Sequence, residues 1–132
     1  MPTTIRQSVM FKATPHQVYE ALMDAKQHTE FTGDAAKITR KVGGTFSAYG
    51  GYITGKHIEL VQDEKIVQEW IASDFPQGHT STVTFILKPT KSGSKLIFTH
   101  AHVPPAQYES LKQGWIDYYW EPMKEFFKEE KL

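Results

Sequence analysis

Histidine is the side chain whose ordinary pKa suits chemistry near neutral pH, and this sequence has six of them. His100-x-His102 places two imidazoles two residues apart, which on a strand puts both on one face and could begin a metal site. His16, His28, His57 and His79 are scattered and supply no third ligand at a telling spacing, so no metal is expected. His100 continues the face of Leu96 and Phe98. On such a face a histidine is a hydrogen-bonded structural group or, beside a cavity, a group that orients a ligand. Ser47, Ser73 and Ser81 sit in no nucleophile-elbow context. Acid–base catalysis would need His100 to meet a carboxylate such as Glu69 or Asp117, and Asp117 with Glu121 reads more simply as helix-surface charge. Gly50-x-x-x-x-Gly55-Lys56 matches most of a phosphate-binding loop. His57 stands where that loop needs Ser or Thr, and Ile53 to Val61 reads as a strand instead of a helix. None of these residues implies a cofactor.

The aromatic residues carry more information. They make up 13% of the chain (8 Phe, 6 Tyr, 3 Trp) within a hydrophobic total of 39%. Trp115, Tyr118, Tyr119, Trp120, Phe126 and Phe127 crowd into one segment. They cannot share one narrow helical stripe, so that helix must have a wide apolar face. Such a helix either packs tightly on a sheet or covers a curved sheet with space left between them. In the second case tyrosine hydroxyls and tryptophan N–H groups supply the few polar contacts of a pocket. Phe46, Trp70, Phe98, His100, Trp115, Tyr119 and Met123 are the candidate lining, with His100 and Tyr119 facing the polar end of an apolar or amphipathic small molecule.

The elements that position these residues follow from periodicity. Thr4 to Phe11 sets Ile5, Val9 and Phe11 on one face, with Gln7 among them, as a strand does. Thr14-Pro15-His16-Gln17 is a capping box that starts a helix buried through Val18, Leu22 and Tyr19. Asp24 caps a second short helix, for which Gly33 supplies the left-handed end. Residues 35 to 103 read as an antiparallel meander with strands near 45–49, 52–61, 66–73, 80–88 and 94–103. A long helix follows over about 106–128, with Pro122 predicting a kink or break near 118–122. One domain over residues 1–132 is expected.

Composition closes other routes. Fifteen basic and fifteen acidic side chains cancel, which argues against a nucleic-acid partner. Zero cysteines exclude disulfides, a thiolate nucleophile and cysteine-held metals. The chain shows neither an apolar run of signal-peptide length nor one that nears a membrane span, so a cytoplasmic location is expected.

Several strings then point to a family. Phe31-Thr32-Gly33, Gly43-Gly44-Thr45-Phe46-Ser47, Gly51-Tyr52-Ile53-Thr54-Gly55, Ile66-Val67-Gln68-Glu69-Trp70, Phe75-Pro76-Gln77-Gly78-His79 and Gly114-Trp115-x-x-Tyr118-Tyr119-Trp120-x-Pro122-Met123 run through nearly the whole chain. With the order of elements, they make it resemble the START-like, helix-grip superfamily (SRPBCC, the birch-pollen-allergen fold). Within that superfamily it resembles the C-terminal-domain-like subfamily of the activator of the ninety-kilodalton heat-shock chaperone's ATPase. The resemblance implies an α+β helix-grip fold, with a curved antiparallel sheet of six or seven strands wrapped on a long C-terminal helix and two short helices after the first strand. It further implies a cavity for an apolar or amphipathic molecule, held without covalent chemistry. The alternatives are a chaperone as partner, or an enzyme acting on a hydrophobic substrate.

Overall fold

The computed structural model describes residues 3–130, with side chains through Phe127. Its seven strands form one antiparallel sheet: β1 (Thr3–Phe11), β2 (Lys37–Ile38), β3 (Thr45–Ala48), β4 (Ile53–Val61), β5 (Lys65–Ala72), β6 (Ser81–Thr90) and β7 (Gly93–Val103). The spatial order is β1-β7-β6-β5-β4-β3-β2, so a simple meander is closed by β1 crossing to the far edge beside β7. Alternation explains the buried face: Ile66, Gln68, Trp70 and Ala72 point inward from β5, as do Val83, Phe85 and Leu87 from β6. Two bulges bend the sheet. Ile58 is the extra residue between His57 and Glu59 in β4, and β7 carries an extra residue between His100 and Val103.

The two short helices lie between β1 and β2. Helix α1 (Pro15–Met23) begins at the Thr14–Gln17 capping box, with both reciprocal bonds formed. Asp24 caps α2 (Ala25–Thr32), which ends at Gly33 in the left-handed conformation, φ 78°. The long helix runs as α3 (Tyr108–Trp115), a wide π turn over Ile116–Trp120, and α4 (Glu121–Glu130). Pro122 therefore produces a local widening where the sequence predicts a kink or break. Its nitrogen cannot donate to the Tyr118 carbonyl, and the Tyr49 hydroxyl donates to that carbonyl instead. The Glu121 N–H reaches back five residues to Ile116. This extra residue per turn solves the crowding problem, because Trp115, Tyr119, Trp120 and Met123 are all buried on the sheet-facing side. Together these elements make the α+β helix-grip fold.

Gly55 is a position where a side chain is excluded outright. A Cβ there would lie 1.9 Å from the Glu69 carbonyl oxygen and 2.8 Å from the Phe46 ring. In the apparent phosphate loop Gly55 thus serves strand contact, Gly50 and Gly51 take left-handed turn conformations, and Ile53–Val61 is a strand as expected.

Candidate functional site

Between sheet and helix the rings fill most of the space. Trp115 is the hub: its indole lies 4.5 Å from Phe98, 4.6 Å from Tyr119, and 5.6 Å from both Trp70 and Trp120, centroid to centroid. A ring of this kind removes roughly 150–250 Å² from water, a gross gain of about 4–6 kcal/mol. The gap left beside His28, Phe46, Gln68 and Phe85 is only about 20 Å³.

A larger space opens at one end, where α3 passes over the β3–β4 connection. This cleft measures about 440 Å³, within the range of small-molecule sites. Tyr49, Tyr52 and Ile53 form one wall, Leu111, Gly114 and Tyr118 the other, and Trp70, Trp115 and Tyr119 the base, with Asp74 and Ser110 completing the lining. Gly114 keeps the helix wall low, for its missing Cβ would meet nothing closer than Tyr118 Cδ2 at 3.7 Å. Tyr49 adopts φ 51°, a left-handed conformation that is strained for a bulky side chain, beside Gly50 and Gly51. Its ring meets those of Tyr118 and Tyr119 edge-on, at 5.8 and 6.0 Å. The lip is open to solvent: Tyr52 is 40% and Tyr118 60% exposed. The Tyr52 hydroxyl donates to Asp74 Oδ1 at 2.9 Å. Burial first, and then this carboxylate, push the Tyr52 hydroxyl up to about 12. Burial raises the Tyr49 and Tyr119 hydroxyls as well, so all three phenols are neutral donors at pH 7.

Beneath the cleft lies a buried polar chain. The Trp115 Nε1–H donates to His100 Nδ1 at 3.0 Å, which makes His100 the Nε2–H tautomer. Nε2 then donates to Ser81 Oγ at 2.7 Å, and Ser81 donates to the Trp70 carbonyl at 3.1 Å. Burial holds the His100 pKa down at about 3, consistent with a neutral ring. His28, whose Nε2 lies 2.9 Å from the Tyr119 hydroxyl, is held at about 4 by the same cause.

The structure divides the seven expected pocket residues. Trp70, Trp115 and Tyr119 line the cleft, and Phe46 lines the small gap. Phe98, His100 and Met123 belong to the packed interior. Glu69 points to the opposite face of β5, and Asp117 accepts a bond from Gln113 on the helix surface, so neither serves His100. His100 and His102 do not share a face. The bulge gives His102 φ 62°, leaving it exposed while His100 is buried. Sequence reasoning missed Tyr49, Tyr52, Ile53, Asp74, Ser110, Leu111, Gly114 and Tyr118 as lining. Two tyrosines flanking Gly50-Gly51, and a lone glycine on an otherwise large-residue helix face, are the signals that pointed there.

Comparison with known proteins gives this geometry a lineage. A family model described as Activator of Hsp90 ATPase homolog 1-like protein matches residues 12–128. The human activator of 90 kDa heat shock protein ATPase homolog 1 is 27% identical over 117 residues, covering 89% of this chain and 35% of that protein. A Dictyostelium discoideum homolog is 26% identical over 113 residues, covering 85% of this chain and 30% of that protein. The chain thus spans about a third of the length of the curated relatives it matches. The crystal structure of an HSP90 activator from Plasmodium falciparum superposes with a TM-score of 0.80 at 30% identity, over 90% of each chain. A Mesorhizobium loti protein shares the fold, with a TM-score of 0.85 at 20% identity over 98% of this chain and 100% of that one. Fold, matched span and identity agree: the chain belongs to the Activator of Hsp90 ATPase homolog 1-like family.

Proposed function

We propose that this domain is a chaperone-contacting module of the Hsp90-activator type, working in the cytoplasm. The observation that carries the reading is the family match over residues 12–128, supported by 30% identity to the Plasmodium falciparum HSP90 activator. The exposed rings of Tyr52 and Tyr118 supply the kind of aromatic lip that protein interfaces use. The test is the ATP turnover of the host's ninety-kilodalton chaperone, with and without the purified protein. A rise that Tyr118→Ala weakens supports the reading. Unchanged turnover together with no co-purification removes it.

The cleft favours a second reading, that the domain holds a small apolar or amphipathic molecule without covalent chemistry. Its volume of about 440 Å³ and its aromatic lining support this. Native mass spectrometry against panels of lipids and aromatic compounds tests it, and a panel with no binder counts against it.

A further inference from the structure

We propose that the cleft takes a small organic cation, an alkylammonium or quaternary ammonium group carried on an apolar body. This inference rests on the second reading above, that the cleft holds a small molecule. Six aromatic rings line the space: Tyr49, Tyr52, Trp70, Trp115, Tyr118 and Tyr119. Aromatic faces carry the negative lobe of the ring quadrupole and attract cations. Among the described residues Asp74 is the one carboxylate lining the cleft, and no Lys, Arg or His lines it.

The carboxylate is held in place. The Tyr52 hydroxyl bonds its Oδ1 at 2.9 Å, and the Gln107 side-chain amide bonds the Asp74 carbonyl at 3.3 Å. Asp74 thus gives the lining one acidic group and no basic one, in a chain whose total charge is zero.

Three ligand classes meet this surface differently. An anion faces Asp74 with no base in the lining to offset it. A wholly apolar molecule covers Asp74 and strips its water without replacing it. A cation gains the ring faces and the carboxylate together, while its apolar body occupies the base formed by Trp70 and Trp115. The Tyr52 hydroxyl, a neutral donor, orders the acid without cancelling its charge.

Three probes of one shape decide the matter: phenyltrimethylammonium, its uncharged isostere tert-butylbenzene, and the anion benzenesulfonate. Each is titrated into the protein while the indole N–H signals of Trp70 and Trp115 and the Gly114 amide are followed by NMR. The cation is expected to shift these signals with an affinity about tenfold above that of the isostere. Asp74→Asn should bring the cation down toward the isostere, whereas Glu69→Gln, on the opposite sheet face, should leave the preference intact. Equal or tighter binding of the isostere or the sulfonate overturns the proposal, as does a preference that survives Asp74→Asn. Binding of the isostere alone removes the cation and leaves the small-molecule reading standing. No response to any of the three probes overturns the cation proposal and leaves the small-molecule reading to the native mass-spectrometry panels.

Discussion

His100 is neutral because both of its nitrogens are committed and its surroundings exclude water, and that has a consequence for acid stability. Its ring and that of His28 titrate at about 3 and about 4 in the folded protein, against about 6.5 in an unfolded chain. Between those values the unfolded state binds more protons, so stability is full above about pH 6.5 and falls as the pH drops toward the folded values. Each ring contributes a slope of up to about 1.4 kcal/mol per pH unit in that window. Urea unfolding at pH 7.5 and pH 5 should show the loss, and His100→Gln should reduce the pH dependence while lowering stability at pH 7.5 by about 1–3 kcal/mol. A pH-independent midpoint across that range would contradict this account. The same ring marks a limit of sequence reading. Parity put His100 on the inward face correctly, but parity cannot say whether an inward residue meets a partner or a hollow. Ser81 and Trp115, its partners, lie 19 and 15 residues away along the chain.

At the scale of elements, the Thr14 capping box, the Gly33 terminus and the strand alternation were legible because each depends on neighbours in sequence. The π turn was half legible. Pro122 announced a lost donor, but the compensating hydroxyl comes from Tyr49, 69 residues before the Tyr118 carbonyl it serves. That compensation is measurable as a double-mutant cycle. Tyr49→Phe should cost about 1 kcal/mol in the native background and clearly less beside Pro122→Ala, where residue 122 can donate to the Tyr118 carbonyl itself. Additive effects in chemical denaturation would count against the pairing. Gly55→Ala should be worse than either, by more than about 2 kcal/mol, since its Cβ meets backbone 1.9 Å away and only a strand displacement relieves the clash. A midpoint close to that of the parent would show that β4 and β5 are less tightly joined than described. The cleft itself escaped sequence reading for a related reason. It is a gap between α3 and the β3–β4 connection, and no single periodicity encodes the distance between two elements.

For the whole molecule, the two functional readings use different parts of the same end: the exposed lip for a protein partner, the recess behind it for a small molecule. Gly114→Phe separates them. A ring built on that helix wall should abolish small-molecule binding by filling the cleft, measured by the same NMR titration. Stimulation of chaperone turnover should persist if the lip alone makes the contact, and its loss would tie both activities to the recess. The sequence resemblance carried the overall architecture well because residues 12–128 follow one family pattern. It carried the cleft poorly because family strings such as Gly114-Trp115 name residues without saying which side of them is empty.

Gln7 bears on how such a chain is made. It sits on the inward face of β1, where its side chain donates to the Lys112 carbonyl and accepts from the Trp120 indole, across 105 and 113 residues respectively. Among the described residues β1 pairs with no strand except β7. β1 therefore gains its ladder only once β7 has been made, and its side-chain anchors only once the last helix has followed. Folding must wait on the whole span, through a topology dominated by distant contacts. During synthesis the two ends of this domain must find each other before either has a finished surface to bury.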